Sequence, residues 1–160
     1  MKGYRFAQHA SVSLVCVLVL ATAAFAADNF GGNWRVVLDK STYSPGPPPK
    51  SLMAKIEVVG DRINFTFDGY DADGKALLLE ELSLTLDGKE YPIKDDPDRD
   101  TTSIKKIDDY TFERTDKKGG KVTAVTVTVY SRDGKSRTAT TTGTNAQGQP
   151  IHNVVFFEKR

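Results

Sequence analysis

Few residues in this chain have the types that catalysis needs. The single cysteine, Cys16, lies within an apolar N-terminal run that has the features of a removable leader, and His152 is then the one histidine that remains. Cysteine catalysis and multi-histidine zinc sites are therefore excluded. A serine triad would need His152 as its base, but the chain has no Gly-x-Ser-x-Gly elbow. The sequence accordingly predicts a protein that is not an enzyme and that needs no cofactor.

The acidic side chains of two segments are of the kind that calcium prefers. Residues 71–80 match several positions of an EF-hand loop, but Gly69 occupies the first ligand position and no helices are predicted beside it. The segment DDPDRD, residues 95–100, has aspartates at alternate positions, although Thr101 stands where the loop requires a glycine. A hairpin is favoured for the first segment and a solvated turn for the second, whose weak calcium candidates are Asp96, Asp98 and Asp100.

A ligand pocket is the other use for polar and aromatic side chains. The segment SRTATTTGTN, residues 136–145, is strand-like by its threonines but has almost no apolar face. In a barrel, one of two sets must face the interior: Arg137, Ala139 and Thr141, or Ser136, Thr138, Thr140 and Thr142. Either set predicts a hydrated cavity, and the other reading is a strand that is wet on both faces. Neighbouring aromatic residues either complete the pocket or only fill the core, and an inward Arg114 would need a carboxylate or an anionic ligand. The pocket candidates are Phe65, Phe67, Tyr91, Tyr110, Phe112, Arg114, Arg137 and Thr141.

The elements that must position these side chains are β-strands. Asp-Gly-Lys occurs at 73–75, 87–89 and 133–135, and Asp-Gly supplies the positive φ angles of tight hairpin turns. Between the turns, apolar residues alternate with polar ones, which predicts strands with one buried face and one wet face. The alternating apolar sets are Ile63, Phe65 and Phe67, then Leu82, Leu84 and Leu86, then Val125, Val127 and Val129.

These patterns predict an all-β fold. Ten antiparallel strands in sequence order leave no free edge if they close on themselves. The predicted fold is thus a single up-and-down antiparallel β-barrel of about 8–10 strands, with a β-sandwich as the alternative. The predicted strands are 32–38, 52–59, 62–68, 76–86, 89–92, 101–107, 110–117, 121–131, 136–144 and 151–159.

Residues 1–26 are predicted to be a signal peptide that is cleaved. Lys2 and Arg5 form its basic start, the apolar run that follows is too short to span a bilayer, and Ala-Phe-Ala at its end suits signal peptidase. The domain of residues 27–160 is expected to be secreted or periplasmic, monomeric and without a transmembrane anchor. Its 20 basic and 21 acidic residues give a net charge of −1, so nucleic acid is not an expected partner.

A Gly-x-Trp motif, Gly32 to Trp34, opens the first predicted strand. It resembles the first motif of the lipocalins and the wider calycin family, in which the tryptophan closes the base of the barrel under a late basic residue. The resemblance implies that Lys159 or Arg160 covers the indole. A longer string, from GGNW through LDGKEYPI and TTTGTNAQGQP to FFEKR, is similar to small exported bacterial proteins described as lipocalin-like. The barrel-closing residues are then Gly32, Trp34 and Arg160.

The resemblance also implies a function. Lipocalin-like barrels bind a small apolar or amphipathic ligand in the interior, and the same is expected here. The alternative is a structural or stress-related envelope protein with a filled barrel that acts through a protein partner.

Two features separate this chain from parts of the family. Residues 41–51 contain four prolines where intracellular fatty-acid-binding proteins have a helical lid. They are predicted to form a stiff loop, either a plain connection or a flap over the mouth. His152 resembles, by its late position, the axial haem ligand of nitrobindin-like calycins, although an ordinary surface or core histidine is favoured.

Overall fold

The computed structural model describes residues 30–77 and 81–160. The predicted signal peptide, residues 1–26, lies outside the described residues, and so does Glu80. Within these ranges one short 3-10 turn, Leu38–Lys40, is the sole helical element, and no helix is long and apolar enough to cross a membrane.

Ten β-strands make up the fold, close to the predicted positions. The fifth is the shortest, at two residues. The strands are β1 (Gly32–Val36), β2 (Ser51–Val59), β3 (Arg62–Tyr70), β4 (Glu81–Thr85), β5 (Tyr91–Pro92), β6 (Thr101–Lys106), β7 (Thr111–Lys118), β8 (Lys121–Tyr130), β9 (Ser136–Thr144) and β10 (Pro150–Lys159).

The strands form one antiparallel sheet in the order β4-β3-β2-β1-β10-β9-β8-β7-β6-β5. Consecutive strands pair with each other except β4 and β5, the two edges of the sheet, and β1 also pairs with β10, so the sheet curls round on itself. The seam between β4 and β6 is joined at one end, where the Gly88 N–H donates to the Ile104 carbonyl at 2.9 Å and the Lys106 N–H to the Leu86 carbonyl at 3.1 Å. The predicted up-and-down barrel is confirmed as a nearly closed barrel, and the sandwich alternative is not adopted.

The apolar face of β3 and β4 points into the barrel, as its alternation predicts. Ile63 and Leu84 are buried, and Phe65 and Phe67 pack against the same core. Because apolar side chains on these strands face one way and polar side chains the other, sequence periodicity alone determines which face is buried.

On strand β8 the buried and exposed faces are exchanged relative to the prediction. Thr126 is buried at 7% exposure, whereas Val129 is 48% exposed on the outer face. Tyr130 and Ala124 share the parity of Thr126 and are buried, and Ala124 lies opposite Gly143 on β9. A Cβ at Gly143 would collide with the Thr123 carbonyl and with Ala124, so the two backbones approach closely here. Burying the Tyr130 ring and packing Ala124 closely against Gly143 therefore outweigh the burial that Val125, Val127 and Val129 would gain in the opposite orientation.

The strand ends define two ends of the barrel. The closed end holds the first residues of β1 and the last of β10, together with the core residues Trp34, Phe112, Tyr130 and Phe157. The opposite end, called the mouth here, lies where β9 ends and β10 begins, joined by the turn 145–149.

The proline-rich segment starts by running along β10 towards the mouth. Thr42 and Val154 exchange backbone hydrogen bonds of 2.8 and 2.9 Å, and the His152 N–H donates to the Ser44 carbonyl at 2.7 Å. The Ser44 N–H donates in turn to the Asn153 side chain at 2.9 Å. The first part of this segment is therefore attached to the barrel wall as an extra length of strand.

Candidate ligand-binding site at the mouth of the barrel

A cavity of about 330 Å³ lies at the mouth. Its wall consists of inward-facing residues from strands on opposite sides of the barrel and of residues from the 93–100 segment between β5 and β6. Apolar groups on one part of the wall face charged and hydroxyl groups on another. The lining residues are Phe67, Asp96, Asp98, Arg99, Arg114, Asp116, Thr123, Ala124, Thr141, Thr144, Ile151 and Asn153.

The 93–100 segment crosses part of the mouth. Asp98 accepts a hydrogen bond of 2.6 Å from the Ala146 N–H, on the turn between β9 and β10. At the rim, Lys118 donates to the Asp96 carbonyl at 2.8 Å. This segment contributes Arg99, which is buried and directed into the mouth. The loop that covers part of the cavity is therefore the one that contains the acidic segment of residues 95–100.

Asp116 on β7 is the centre of a buried ionic network. Its Oδ1 accepts from the Thr102 hydroxyl at 2.6 Å and from the Arg99 guanidinium at 3.3 Å. Its Oδ2 lies 3.0 Å from Nη2 of Arg114. Arg99 also reaches Asp96 at 2.9 Å. A buried carboxylate is tolerated only when donors satisfy it, and Asp116 has three.

Arg114 also contacts a hydroxyl of the inner wall. Its Nη2 lies 3.5 Å from the Thr126 hydroxyl, which in turn shares a 2.8 Å hydrogen bond with Thr141. Its Nε is buried without a hydrogen-bond partner. An unpaired buried N–H costs free energy, so this guanidinium is incompletely satisfied within the protein.

The structure divides the sequence-predicted pocket residues between several places. Phe67, Arg114 and Thr141 line the cavity, and Phe65 stacks on Phe67 with ring centroids 6.2 Å apart. Of the two alternatives for β9, Arg137 and Thr141 are the inward set. Alternation therefore located the inner wall, but it could not say how far along the barrel axis each residue lies.

Four pocket candidates lie elsewhere, and the structure corrects their assignment. Phe112 and Arg137 belong to the closed end, because they lie near the starts of β7 and β9 and both strands start at that end. Tyr110 lies in the turn before β7, with Arg132 5.7 Å from its ring centroid. Tyr91 lies at the seam, where its hydroxyl is 2.9 Å from the Thr85 hydroxyl.

The closed end is filled by an aromatic cluster around the tryptophan. Trp34 is fully buried and donates from Nε1 to the Phe30 carbonyl at 3.1 Å. The Phe30 ring contacts those of Phe112 and Tyr130 edge to face, with centroids 4.7 and 4.9 Å away. These contacts give Trp34 the position at the base of the barrel that the lipocalin resemblance implied.

Two cations cover the indole: Lys159, one of the two residues that the resemblance implied, and Arg137, which it did not imply. Arg160, the other implied residue, does not lie over the ring. The Arg137 guanidinium lies 5.2 Å from the Trp34 ring centroid and 4.1 Å from that of Phe157, and Lys159 Nζ lies 5.5 Å from the indole. Arg160 is exposed, and its backbone N–H donates to the Asn33 carbonyl. Gly32 lies against the Lys159 side chain with φ of 124°, a conformation that favours glycine.

Burial perturbs both titratable groups of the aromatic cluster. It raises the pKa of Tyr130, an effect that the Arg137 charge opposes. It lowers the pKa of Arg137, opposed by Tyr130, whose hydroxyl lies 3.4 Å from the guanidinium. The Arg137 Nε has no hydrogen-bond partner. The closed end therefore stabilises this cation largely through ring faces.

The three weak calcium candidates are bound by groups of the protein itself. Asp96 accepts from the Asp98 N–H at 2.8 Å and pairs with Arg99, whereas Asp100 accepts from the Gly119 N–H at 2.7 Å. The aspartates of this segment thus fasten the loop to different partners. No group of three or more metal-ligating side chains converges within residues 30–77 and 81–160.

His152 is exposed on β10, with the parity opposite to that of the inward residues Ile151 and Asn153. An axial haem ligand would need to face the interior, so the position of His152 agrees with the favoured prediction of an ordinary histidine, here on the surface.

The network residues Arg99, Asp116, Thr102 and Thr126 are absent from the sequence-based candidates. One signal was present for Asp116: it shares a face of the strand with Phe112 and Arg114, so the alternation that suggested an inward Arg114 applies to Asp116 as well. Arg99 has no such signal, because its position depends on how an irregular loop folds back over the mouth.

A second hollow of about 360 Å³ lies beside the 3-10 turn, between residues 35–39 and 50–53. Its charged side chains, Arg35, Asp39 and Lys50, are exposed. The mouth cavity, whose charged groups are largely buried, is the better candidate for specific recognition.

Ten strands in up-and-down order, closed at the base by a tryptophan, give the chain a calycin-type architecture. Among solved structures it is similar to the zebrafish ileal bile acid-binding protein complexed with cholic acid, at 18% identity and a TM-score of 0.49, over 82% of this chain and 99% of that one. It is also similar to the siderocalin Ex-FABP, at 11% identity and a TM-score of 0.44, over 82% of this chain and 74% of that one. No protein-family model and no curated protein matches the sequence.

Proposed function

We propose that the protein is an exported binding protein that takes up a small amphipathic molecule in the mouth cavity. The observation that carries this proposal is the composition of the cavity wall. Phe67 and Ile151 offer apolar surface, while Arg114 and Asp98 lie on the same wall with atoms able to bond a polar head group. A cavity with apolar walls and a few placed polar groups is the usual form of a small-molecule site.

The size of the cavity limits the ligand. About 330 Å³ lies near the lower end of the range of roughly 300–1,000 Å³ that small-molecule pockets occupy. The closed half of the barrel is filled by Trp34, Phe112 and Tyr130, so a long chain cannot run the length of the interior. The proposed ligand is therefore short, with its head group at the Arg114 side of the mouth.

The role proposed is binding, without catalysis. Asp116 is saturated by donors from Thr102, Arg99 and Arg114, so it is poorly placed to act as a base. Export is part of the proposal and rests on the leader-like composition of residues 1–26.

One observation favours a second candidate function. The filled closed end resembles a structural core, which is what a barrel acting through a protein partner would need. In that case the mouth cavity would hold only water.

Native mass spectrometry on the full-length chain, expressed in an exporting bacterial host and purified without denaturation, tests the proposal. The expected result is a polypeptide mass lacking residues 1–26, together with a reproducible excess mass that organic extraction removes. An intact leader would contradict export. A ligand-free mass that stays unchanged with short-chain amphiphiles would favour the second candidate.

A matched pair of variants locates the bound molecule. Ile151→Trp places a large ring in the cavity, whereas His152→Trp places the same ring on the outer face of the same strand. Ile151→Trp should abolish the excess mass, and His152→Trp should retain it. Equal loss or equal retention in both variants would place the ligand elsewhere.

A further inference from the structure

The charges around the mouth cavity bear on which head group it accepts. Three acidic and two basic side chains line it, which gives the lining a formal net charge of −1. Lys118 at the rim is exposed to solvent, so its charge is screened. The cavity is therefore not a positively charged site, although two arginines face it.

Both arginines are already neutralised from within the protein. Asp116 contacts Arg99 at 3.3 Å and Arg114 at 3.0 Å, and Asp96 holds Arg99 from the other side at 2.9 Å. An incoming carboxylate would lose its hydration and meet arginines whose charges Asp116 and Asp96 have already balanced. It would also approach Asp116 itself, a like charge.

The third acidic side chain of the cavity, Asp98, favours a head group with a positive charge. Asp98 accepts one hydrogen bond, from the Ala146 N–H at 2.6 Å, and within the described part of the chain it pairs with no cation. A cationic head group can pair with Asp98, and a neutral one can donate a hydrogen bond to it, without displacing the Asp116 network.

We propose that the mouth cavity selects amphipathic ligands with a neutral or cationic head group and discriminates against carboxylates, because Asp116 and Asp96 together neutralise the two arginines that line it. This inference rests on the proposed binding function and specifies its ligand class. Asp116 is then the residue that determines specificity.

The test uses three probes with the same eight-carbon chain: octylammonium, octan-1-ol and octanoate, each below its aggregation concentration at neutral pH. Isothermal titration calorimetry on the purified protein gives a Kd for each. Octylammonium should bind at least about tenfold more tightly than octanoate. Octanol serves as the uncharged reference for the contribution of the chain.

Three variants separate the role of Asp116 from general effects of charge. Asp116→Asn should lower the octylammonium-to-octanoate preference by about tenfold or more, since it frees the charge of Arg114 for an anion and removes a like charge from the cavity wall. Glu113→Gln removes the same charge from the outer face of the same strand, where Glu113 pairs with Lys105 at 2.8 Å, and should leave the preference unchanged. Arg114→Gln should raise the preference for octylammonium.

The outcomes distinguish the inference from the function on which it rests. Octanoate binding as tightly as octylammonium, or an unchanged preference in Asp116→Asn, would overturn the inference and leave the binding function standing. If circular dichroism shows that Asp116→Asn does not fold, an unchanged preference in Arg114→Gln overturns it instead. No binding of any probe to any folded protein would overturn both.

Discussion

The two ends of this barrel bury arginines in different ways. At the closed end Arg137 lies among the rings of Trp34, Tyr130 and Phe157, at 4.1–5.8 Å from their centroids. At the mouth, Arg114 pairs with the Asp116 carboxylate at 3.0 Å.

The difference has a functional consequence. Ring faces surround a cation and leave no space beside it, so the closed end is a plug. Carboxylates and hydroxyls hold a cation from one side and require a polar surface, so the mouth keeps a cavity with oriented hydrogen-bonding groups. The same residue type thus marks a core at one end and a candidate site at the other.

The largest effect is expected from removing the plug. Trp34→Ala should lower the free energy of unfolding by about 4 kcal/mol, because a fully buried indole leaves a cavity among Phe30, Tyr130 and Phe157. Urea denaturation followed by circular dichroism measures it. Arg35→Ala, one residue along on the outer face, should change stability by less than about 1 kcal/mol. Similar losses in the two variants would mean that the closed end is not a packed core.

The second-largest loss of stability is expected from a change at the mouth. Asp116→Asn should cost about 3 kcal/mol, because it leaves Arg99 and Arg114 without their shared counter-ion. The same denaturation experiment applies, with Glu113→Gln as the exposed-face control. A cost no larger than that of Glu113→Gln would show that the network does not stabilise the fold.

A pH-dependent effect is specific to the closed end. Burial raises the pKa of Tyr130, so the folded state holds the phenolic proton more tightly than the unfolded state does. That stability is present below about pH 10 and is lost as pH rises through the folded-state pKa, at up to about 1.4 kcal/mol per pH unit.

Urea midpoints between pH 8 and pH 11 measure this loss. Tyr130→Phe should flatten the alkaline decline, and Tyr70→Phe, at an exposed position, should not. Parallel curves for the wild type and Tyr130→Phe would contradict this assignment.

The smallest effects test the orientation of β8. Thr126→Val should cost about 1 kcal/mol, because it removes a hydroxyl bonded to Thr141 and near Arg114. Val129→Thr, at an exposed position on the same strand, should stay within about 0.5 kcal/mol. Thermal unfolding of both variants measures the difference. The reverse ranking would mean that the valines, and not the threonines, face the interior.

Much of the fold is predictable from local patterns. Asp-Gly turns and period-two alternation on β3 and β4 gave strand positions and the buried face, since both depend on residues close together in the chain. The candidate site is less predictable. Phe67, Arg114 and Thr141 were expected to line a pocket, but Phe112 and Arg137, which share their parity, lie at the other end of the barrel.

By itself, the sequence determined the all-β class and the meander of ten strands, while the place of Trp34 at the barrel base was implied by the resemblance of its motif to a known family. Only the tertiary structure decided that Arg137 covers the indole, that β8 turns its threonines inward, and that Arg99 closes on Asp116. The physical reason is distance along the chain. Turns and alternation act between near neighbours, whereas the burial of each charge depends on which strand lies opposite and at what register.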